Sequence, residues 1–219
     1  MPTVLITGAN RGLGLEFARQ YGADGWAVLA TAREPERADA LRDTGAELIS
    51  LEISDAGSIA RLAEHVGDRP VDLLIANAGI YGESNLDADA WSKLLQVNVI
   101  GPTLLAEALR RNVAASAVKR MVAVTSGMGS IAETGGGHIP YRTSKAALNM
   151  AWKNLALDYA NDGIAVAVIN PGWVQTDMGG PGASITAEQS ITGMRGSIDT
   201  LSLEQSGRFL SWDGQELPW

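Results

Sequence analysis

The sequence predicts an α/β fold: a doubly wound, mostly parallel sheet of about seven strands with helices on both faces. Three observations carry that prediction. Short apolar runs alternate with longer helical patterns along the whole chain, as strand–helix–strand crossovers require. A glycine-rich turn joins the first apolar run directly to the first helix. Aromatic residues make up only 5% of the chain while alanine and glycine abound, which suits close helix–sheet packing over an aromatic-filled sandwich. With 219 residues and no internal repeat, linker or break in composition, positions 1–219 are expected to form one domain.

Composition excludes several functions. The formal net charge of −8 argues against a nucleic-acid binder or an anionic-membrane binder. Zero cysteines rule out disulfides and thiolate metal sites, and two histidines leave no multi-histidine metal centre. The chain passes from Met1-Pro2 straight into an apolar strand, without a basic leader or a membrane-length apolar run, so a cytoplasmic protein is expected.

Thr3–Thr7 reads as a buried strand, followed by Thr7-Gly-Ala-Asn-Arg-Gly-Leu-Gly14 and a helix over 15–21 closed by Gly22. Gly8, Asn10, Arg11, Gly12, Leu13 and Gly14 thus occupy a strand-to-helix turn. There, backbone N–H groups and the helix N-terminus favour a diphosphate. The second strand, Trp26–Thr31, ends without an acidic residue for a ribose 2′-hydroxyl; Arg33 stands there instead, with Arg11 as a second cation. Two guanidiniums suit a 2′-phosphate, so NADP(H) is expected over NAD(H). A helix is expected over 35–44. Glu47–Leu51 forms the third strand, leading through Glu52 and Ile53 to a helix capped by Ser54 or Asp55.

Val71–Ala76 is the fourth strand, ending in Asn77-Ala78-Gly79, small residues that let backbone approach a ligand. A long helical pattern over 89–113 holds Asn98 among apolar neighbours, with a kink expected at Gly101-Pro102. Arg120–Thr125 is the fifth strand and delivers Ser126 at its C-terminal end, where open α/β sheets bind ligands. Ile164–Ile169 is the sixth strand, followed by Pro171, Gly172, Val174 and Thr176. A further helix is expected over 187–200 and a last strand over 209–212.

The helix of 145–152 begins just after Tyr141-Arg-Thr-Ser-Lys145, with Pro140 suited to its first turn. Tyr141 and Lys145, four apart, share one helix face. An ammonium beside a phenol draws its pKa toward neutrality, which makes a usable general acid or base. The same spacing also fits a plain amphipathic pair, so the other motifs must decide. His138 is close by, but a Tyr–Lys pair needs no imidazole.

Together these motifs resemble the short-chain dehydrogenase/reductase family. The matches are Thr7-Gly-x-x-x-Gly-x-Gly14, Asn77-Ala-Gly79, Asn98, Ser126, Tyr141-x-x-x-Lys145, Pro171-Gly172 and Thr176, in the family's order across nearly the whole chain. The run Tyr-Arg-Thr-Ser-Lys-Ala-Ala-Leu-Asn and the short C-terminal part are similar to the C-factor and sniffer-type carbonyl reductase branch. The resemblance implies a Rossmann-type fold and hydride transfer between NADP(H) and a carbonyl or secondary alcohol. Tyr141 would be general acid or base, Lys145 would hold the nicotinamide ribose and lower the Tyr141 pKa, and Ser126 would orient the carbonyl. Asn98 would anchor a water of a proton relay, and residues 171–176 would meet the nicotinamide end. Glu52 stands where the family's usual aspartate meets adenine, and the Ser126–Tyr141 spacing is longer than the commonest one.

The alternative is a dinucleotide-sensing protein or a C-factor-like signalling protein without turnover. Substrate specificity is expected in loops at about 80–88, 128–140 and 177–195. Met128, Ile139, Trp173 and Met178 suggest an apolar pocket there. Ala-rich helices at 103–117 and 144–160 point to a homodimer or homotetramer.

Overall fold

The computed structural model describes residues 1–219. Seven parallel strands form one sheet in the order β3-β2-β1-β4-β5-β6-β7: β1 Thr3–Ile6, β2 Ala27–Ala32, β3 Glu47–Ser50, β4 Leu73–Ala76, β5 Arg120–Val124, β6 Ala165–Asn170 and β7 Phe209–Ser211. This is the expected doubly wound arrangement. Strand order reverses between β1 and β4, and the crevice at their C-terminal ends is where such sheets bind ligands.

Residues alternate across the sheet with the period of two that a strand imposes. Leu5, Leu29, Leu74, Met121 and Val166 point to one face, and Val4, Ile6, Val28, Ile75 and Val122 to the other. The first face is covered by α3 (Ala56–Val66), α5 (Gly101–Ala108), α6 (Arg110–Ala114) and α7 (Ile139–Asp158), with Trp152 and Tyr159 fully buried. The second is covered by α1 (Gly12–Ala23) and α8 (Ala187–Thr200), through Phe17, Tyr21, Ile191 and Met194. α8 opens with a capping box between Thr186 and Gln189, as a stable N-terminus needs.

Several boundaries differ from expectation, each for a local reason. Gly22 does not close the first helix. α1 runs through it to Ala23, and the turn to β2 falls at Gly25, where φ is +78°. The helix expected over 35–44 is a 3₁₀ turn, Pro35–Arg37, and then a single turn, α2 (Asp39–Arg42), since no side chain caps its start. Asp55 is the cap of α3, accepting from the Gly57 N–H.

The long helix expected over 89–113 is broken in three. α4 (Ala88–Leu95) passes into a π-helical turn, Gln96–Ile100, before α5. Gly101 serves close approach, because any side chain there would run into the Ile53 carbonyl in the segment between β3 and α3. Pro102 has no N–H, so the Asn98 carbonyl lacks its α-helical donor four residues on. The π turn and the proline together make the irregularity, and it centres on Asn98. No helix is long and apolar enough to cross a membrane.

Candidate active site

The glycine turn after β1 is held by buried polar contacts. The Thr7 hydroxyl, 1% exposed, accepts from the N–H groups of Asn77 (3.0 Å) and Ala78 (2.9 Å). Asn77 donates in return to the carbonyls of Thr7 (2.9 Å) and Gly8 (3.2 Å). The ends of β1 and β4 are thereby sewn together. Gly8 has φ +65°, and a side chain there would come within 2.9 Å of the Ala78 backbone; one at Gly14 would collide with the Gly8 carbonyl. Asn10, Leu13 and Gly12 complete the turn, and Gly12 faces Thr176 across the crevice.

Arg11 and Arg33 stand exposed at the mouth. Arg11 is paired with Asp177 at 2.6 Å, which ties the turn to the segment following β6. No carboxylate lies at the end of β2 before Glu34. Burial pushes the Glu52 carboxyl upward, but hydrogen bonds from the Ser54 hydroxyl (2.7 Å) and N–H (3.1 Å) outweigh it and hold the pKa below the usual range. Ile53 is buried beside it.

Ser126, Tyr141 and Lys145 come together where β5 ends against α7. Ser126 caps the 3₁₀ turn Gly127–Gly129, and its hydroxyl accepts from the Met128 N–H. Tyr141 lies within the first turn of α7, 7% exposed, with Pro140 beside it in that turn. Lys145 is 5% exposed and faces no carboxylate; it donates to the Val124 carbonyl at 3.0 Å. Its ammonium sits 5.8 Å from the centre of the Tyr141 ring. An ammonium has three donors, so this burial leaves capacity aimed at Gly79, where a side chain would meet both Lys145 Nζ and Asn98 Oδ1.

Expectation fails on the tyrosine pKa. Burial pushes the Tyr141 phenol up to about 12; the Ser126 hydroxyl pulls it back only in part, and Tyr81 adds to the rise. Lys145 is not among the causes. Burial brings the lysine itself down to about 8, so much of its charge is lost at mildly alkaline pH. Helix spacing sets where the two side chains lie, but desolvation decides their protonation.

Asn98 is 1% exposed, and its side chain is fully engaged. It accepts from the Ile80 N–H and donates to the Ile80 carbonyl, both at 2.9 Å, and to the Ser144 hydroxyl at 3.1 Å. The side chain therefore fastens the strand end after Gly79 to α7. The Asn98 main-chain carbonyl, deprived of a donor by Pro102, is the group suited to take a water.

Sequence reasoning missed several supports. Thr125 donates to Asn149 at 2.6 Å in the buried wall between β5 and α7. Tyr81 lays its ring 4.5 Å from that of Tyr141, with His138 5.4 Å beyond. An open groove of about 430 Å³ lies there, lined by Tyr81, Gly82, Glu83, Ser84, Asn85 and His138. Of the residues expected to line an apolar pocket, Ile139, Trp173 and Met178 are exposed and Met128 is half-buried. On the far side Pro171 accepts from Ser190 (2.6 Å). Gly172 takes φ +80° against Trp212, Val174 is buried, and the Thr176 hydroxyl accepts from the Gly179 N–H.

This fold, with a glycine crevice beside a Ser–Tyr–Lys cluster, defines a dinucleotide-binding protein. The sequence model of the short chain dehydrogenase family matches residues 2–184, and the chain belongs to that family. It is 42% identical over 162 residues to C-signal of Myxococcus xanthus, covering 72% of this chain and 98% of the relative. Among solved structures it is similar to an NADPH-bound carbonyl reductase from chicken fatty liver (TM-score 0.92, 33% identity, 100% of this chain and 99% of the other). It is also similar to the carbonyl reductase Sniffer of D. melanogaster (TM-score 0.91, 30% identity, 100% of each chain). These place it in the carbonyl reductase branch, among oxidoreductases.

Proposed function

We propose that the protein is an NADP(H)-dependent reductase of a carbonyl compound, or in reverse a dehydrogenase of a secondary alcohol, with Tyr141 as general acid or base. The observation that carries this reading is the convergence of Ser126, Tyr141 and a buried, carboxylate-free Lys145 on one crevice.

The crevice fits the cofactor. Gly8, Gly12 and Gly14 leave backbone where side chains would stand, and Asn10 and Leu13 complete the cradle for a diphosphate. Arg11 and Arg33 suit a 2′-phosphate, with Glu52 and Ile53 beside the adenine and Asn77, Ala78 and Gly79 along the ribose. Lys145 would hold the nicotinamide ribose through its unused donors, with Pro171, Gly172, Val174 and Thr176 around the nicotinamide. When bound, the cofactor supplies the hydride.

This chain's own groups do the rest. Ser126 orients the carbonyl oxygen by donating a hydrogen bond, and Tyr141 gives that oxygen a proton. A phenol held at about 12 is fully protonated at neutral pH, which suits reduction. Lys145 and a water on the Asn98 carbonyl would return the proton. The substrate meets the 80–88 and 128–140 loops and the 177–195 segment, nearly half of which, from Ala187 on, is already α8. A sensor without turnover finds less support, because Ser126, Tyr141 and Lys145 are all present and lie beside one crevice.

Activity is tested by following NADPH and NADH oxidation against a panel of aldehydes, ketones and diketones, with Tyr141→Phe alongside. We expect NADPH to be preferred, and the variant to bind cofactor yet lose about 10²–10⁴ of its rate. Full activity in the variant would overturn the assignment. Exposed Leu104, Met150 and Leu157 on α5 and α7 support a homodimer or homotetramer, which a monomeric mass at micromolar concentration in sedimentation would contradict.

A further inference from the structure

Arg142 follows Tyr141 directly but belongs to none of the groups described so far. Its main-chain N–H donates to the His138 carbonyl at 3.0 Å, the first bond of α7. Its side-chain Nε–H is shared between the carbonyls of Gly136 (2.9 Å) and Gly137 (3.1 Å). Three consecutive carbonyls therefore accept from one residue. Nη1 reaches further, to the Met128 carbonyl at the other end of the loop, at 3.5 Å.

The loop is shaped for this. Gly136, Gly137 and His138 have φ of +76°, +69° and +46°, a run of left-handed residues. Successive residues of one helical hand turn their carbonyls the same way, so the run presents all three oxygens to Arg142. Glycine is cheap at such positions, whereas His138 is not. Its conformation is held by the turn before it and the helix after it.

Residues 131–139 are otherwise exposed and have little to fix them. Two other points are tied: the Ala132 N–H donates to the Trp219 carbonyl at 2.9 Å, and the Glu133 N–H to the buried Ser130 hydroxyl at 3.1 Å. The chain near Trp219 lies against the sheet edge through Leu217 and Phe209, with the Trp219 ring 5.5 Å from Phe209 and under the Lys153 ammonium. No carboxylate pairs with Arg142, so its charge is met by carbonyl dipoles of the loop alone.

What the loop presents to the crevice is the His138 ring, packed on Tyr81, which packs on Tyr141. We propose that Arg142 is the positioning residue of the substrate loop. It acts through the left-handed 136–138 turn to set His138 and Tyr81 as the wall that the carbonyl substrate meets. This rests on the reductase reading above. The side chain donates to loop carbonyls, so it acts on the wall and not on the reacting atoms.

The test compares Arg142→Gln, Arg142→Lys and wild type in steady-state kinetics, with amide hydrogen exchange on the ligand-free proteins. Arg142→Gln is expected to raise KM for the carbonyl about tenfold, with KM for NADPH within about twofold. Arg142→Lys keeps the charge and an N–H donor group but not the planar fork, and should recover part of the KM. Exchange at 131–138 should speed up in the Gln variant, while 145–158 stays protected.

An unchanged carbonyl KM, or a loss confined to kcat or to NADPH binding, would overturn the proposal. If Arg142→Gln does not fold, the Gly136→Ala/Gly137→Ala pair disturbs the same turn from the acceptor side and must raise the same KM. If wild type reduces no carbonyl, the reductase reading fails by itself. The exchange comparison then still decides whether Arg142 holds the loop, and unaltered exchange at 131–138 sinks that too.

Discussion

The two sides of the crevice are built by different means. On the cofactor side, between β1 and β4, the geometry comes from backbone against backbone. Gly8 lies on Ala78, Gly14 lies on Gly8, and the buried Thr7 hydroxyl and Asn77 amide pin them. On the substrate side an exposed loop hangs from one arginine, the Ser130 hydroxyl and the Trp219 carbonyl, and its wall is a pair of aromatic rings. The first arrangement leaves no room for other side chains and suits a ligand that does not vary. The second tolerates change at exposed positions outside the left-handed 136–138 turn, as a specificity surface must.

Lys145 belongs to both sides, and changing it should have the largest effect. Its folded pKa of about 8 lies below the ordinary 10.5, so the unfolded chain binds the extra proton between those values. Stability of the ligand-free protein should therefore rise with pH from about 8 toward 10. Above that the Tyr141 phenol, raised in the folded state to about 12, begins to withdraw its own contribution. Lys145→Met should abolish the rise and stabilise the ligand-free chain at pH 7 by on the order of 3 kcal/mol. Denaturant melts at pH 7 and 9.5 measure both, and a variant with the wild-type slope would show that the lysine is not the group responsible.

Thr7→Val should come next. It keeps the shape of the side chain but leaves the Ala78 N–H without an acceptor, at a cost of about 1–3 kcal/mol. Because the damage falls on the cofactor side, NADPH affinity should drop several-fold while the carbonyl KM stays put, the reverse of Arg142→Gln. Equal effects of the two variants on both ligands would erase the distinction between the sides.

The same contrast explains what could be read from the sequence. The cofactor side is written in local spacing. Three glycines between an apolar run and a helix, and Asn77-Ala-Gly79 at a strand end, need no knowledge of distant contacts. Ser126, Tyr141, Lys145 and Asn98 were legible as family positions. Tyr81, Arg142 and the Thr125–Asn149 pair were not, because their roles depend on loops and helices meeting in space. The Tyr141 pKa was misread for a related reason: spacing shows a lysine nearby but not how completely both side chains lose water. The π turn did have a signal, since Pro102 stands four residues after Asn98.

The order of strands has a consequence for how the chain is made. By residue 76 the ribosome has released β1 through β4, neighbours in a contiguous half-sheet, and β5, β6 and β7 then add in turn to the same free edge. A chain emerging from its N-terminus can extend the sheet without ever reopening a finished pair. The cofactor crevice between β1 and β4 has both its walls early in synthesis. The loop beside Tyr141 gains its last anchor only when Trp219 arrives to meet Ala132.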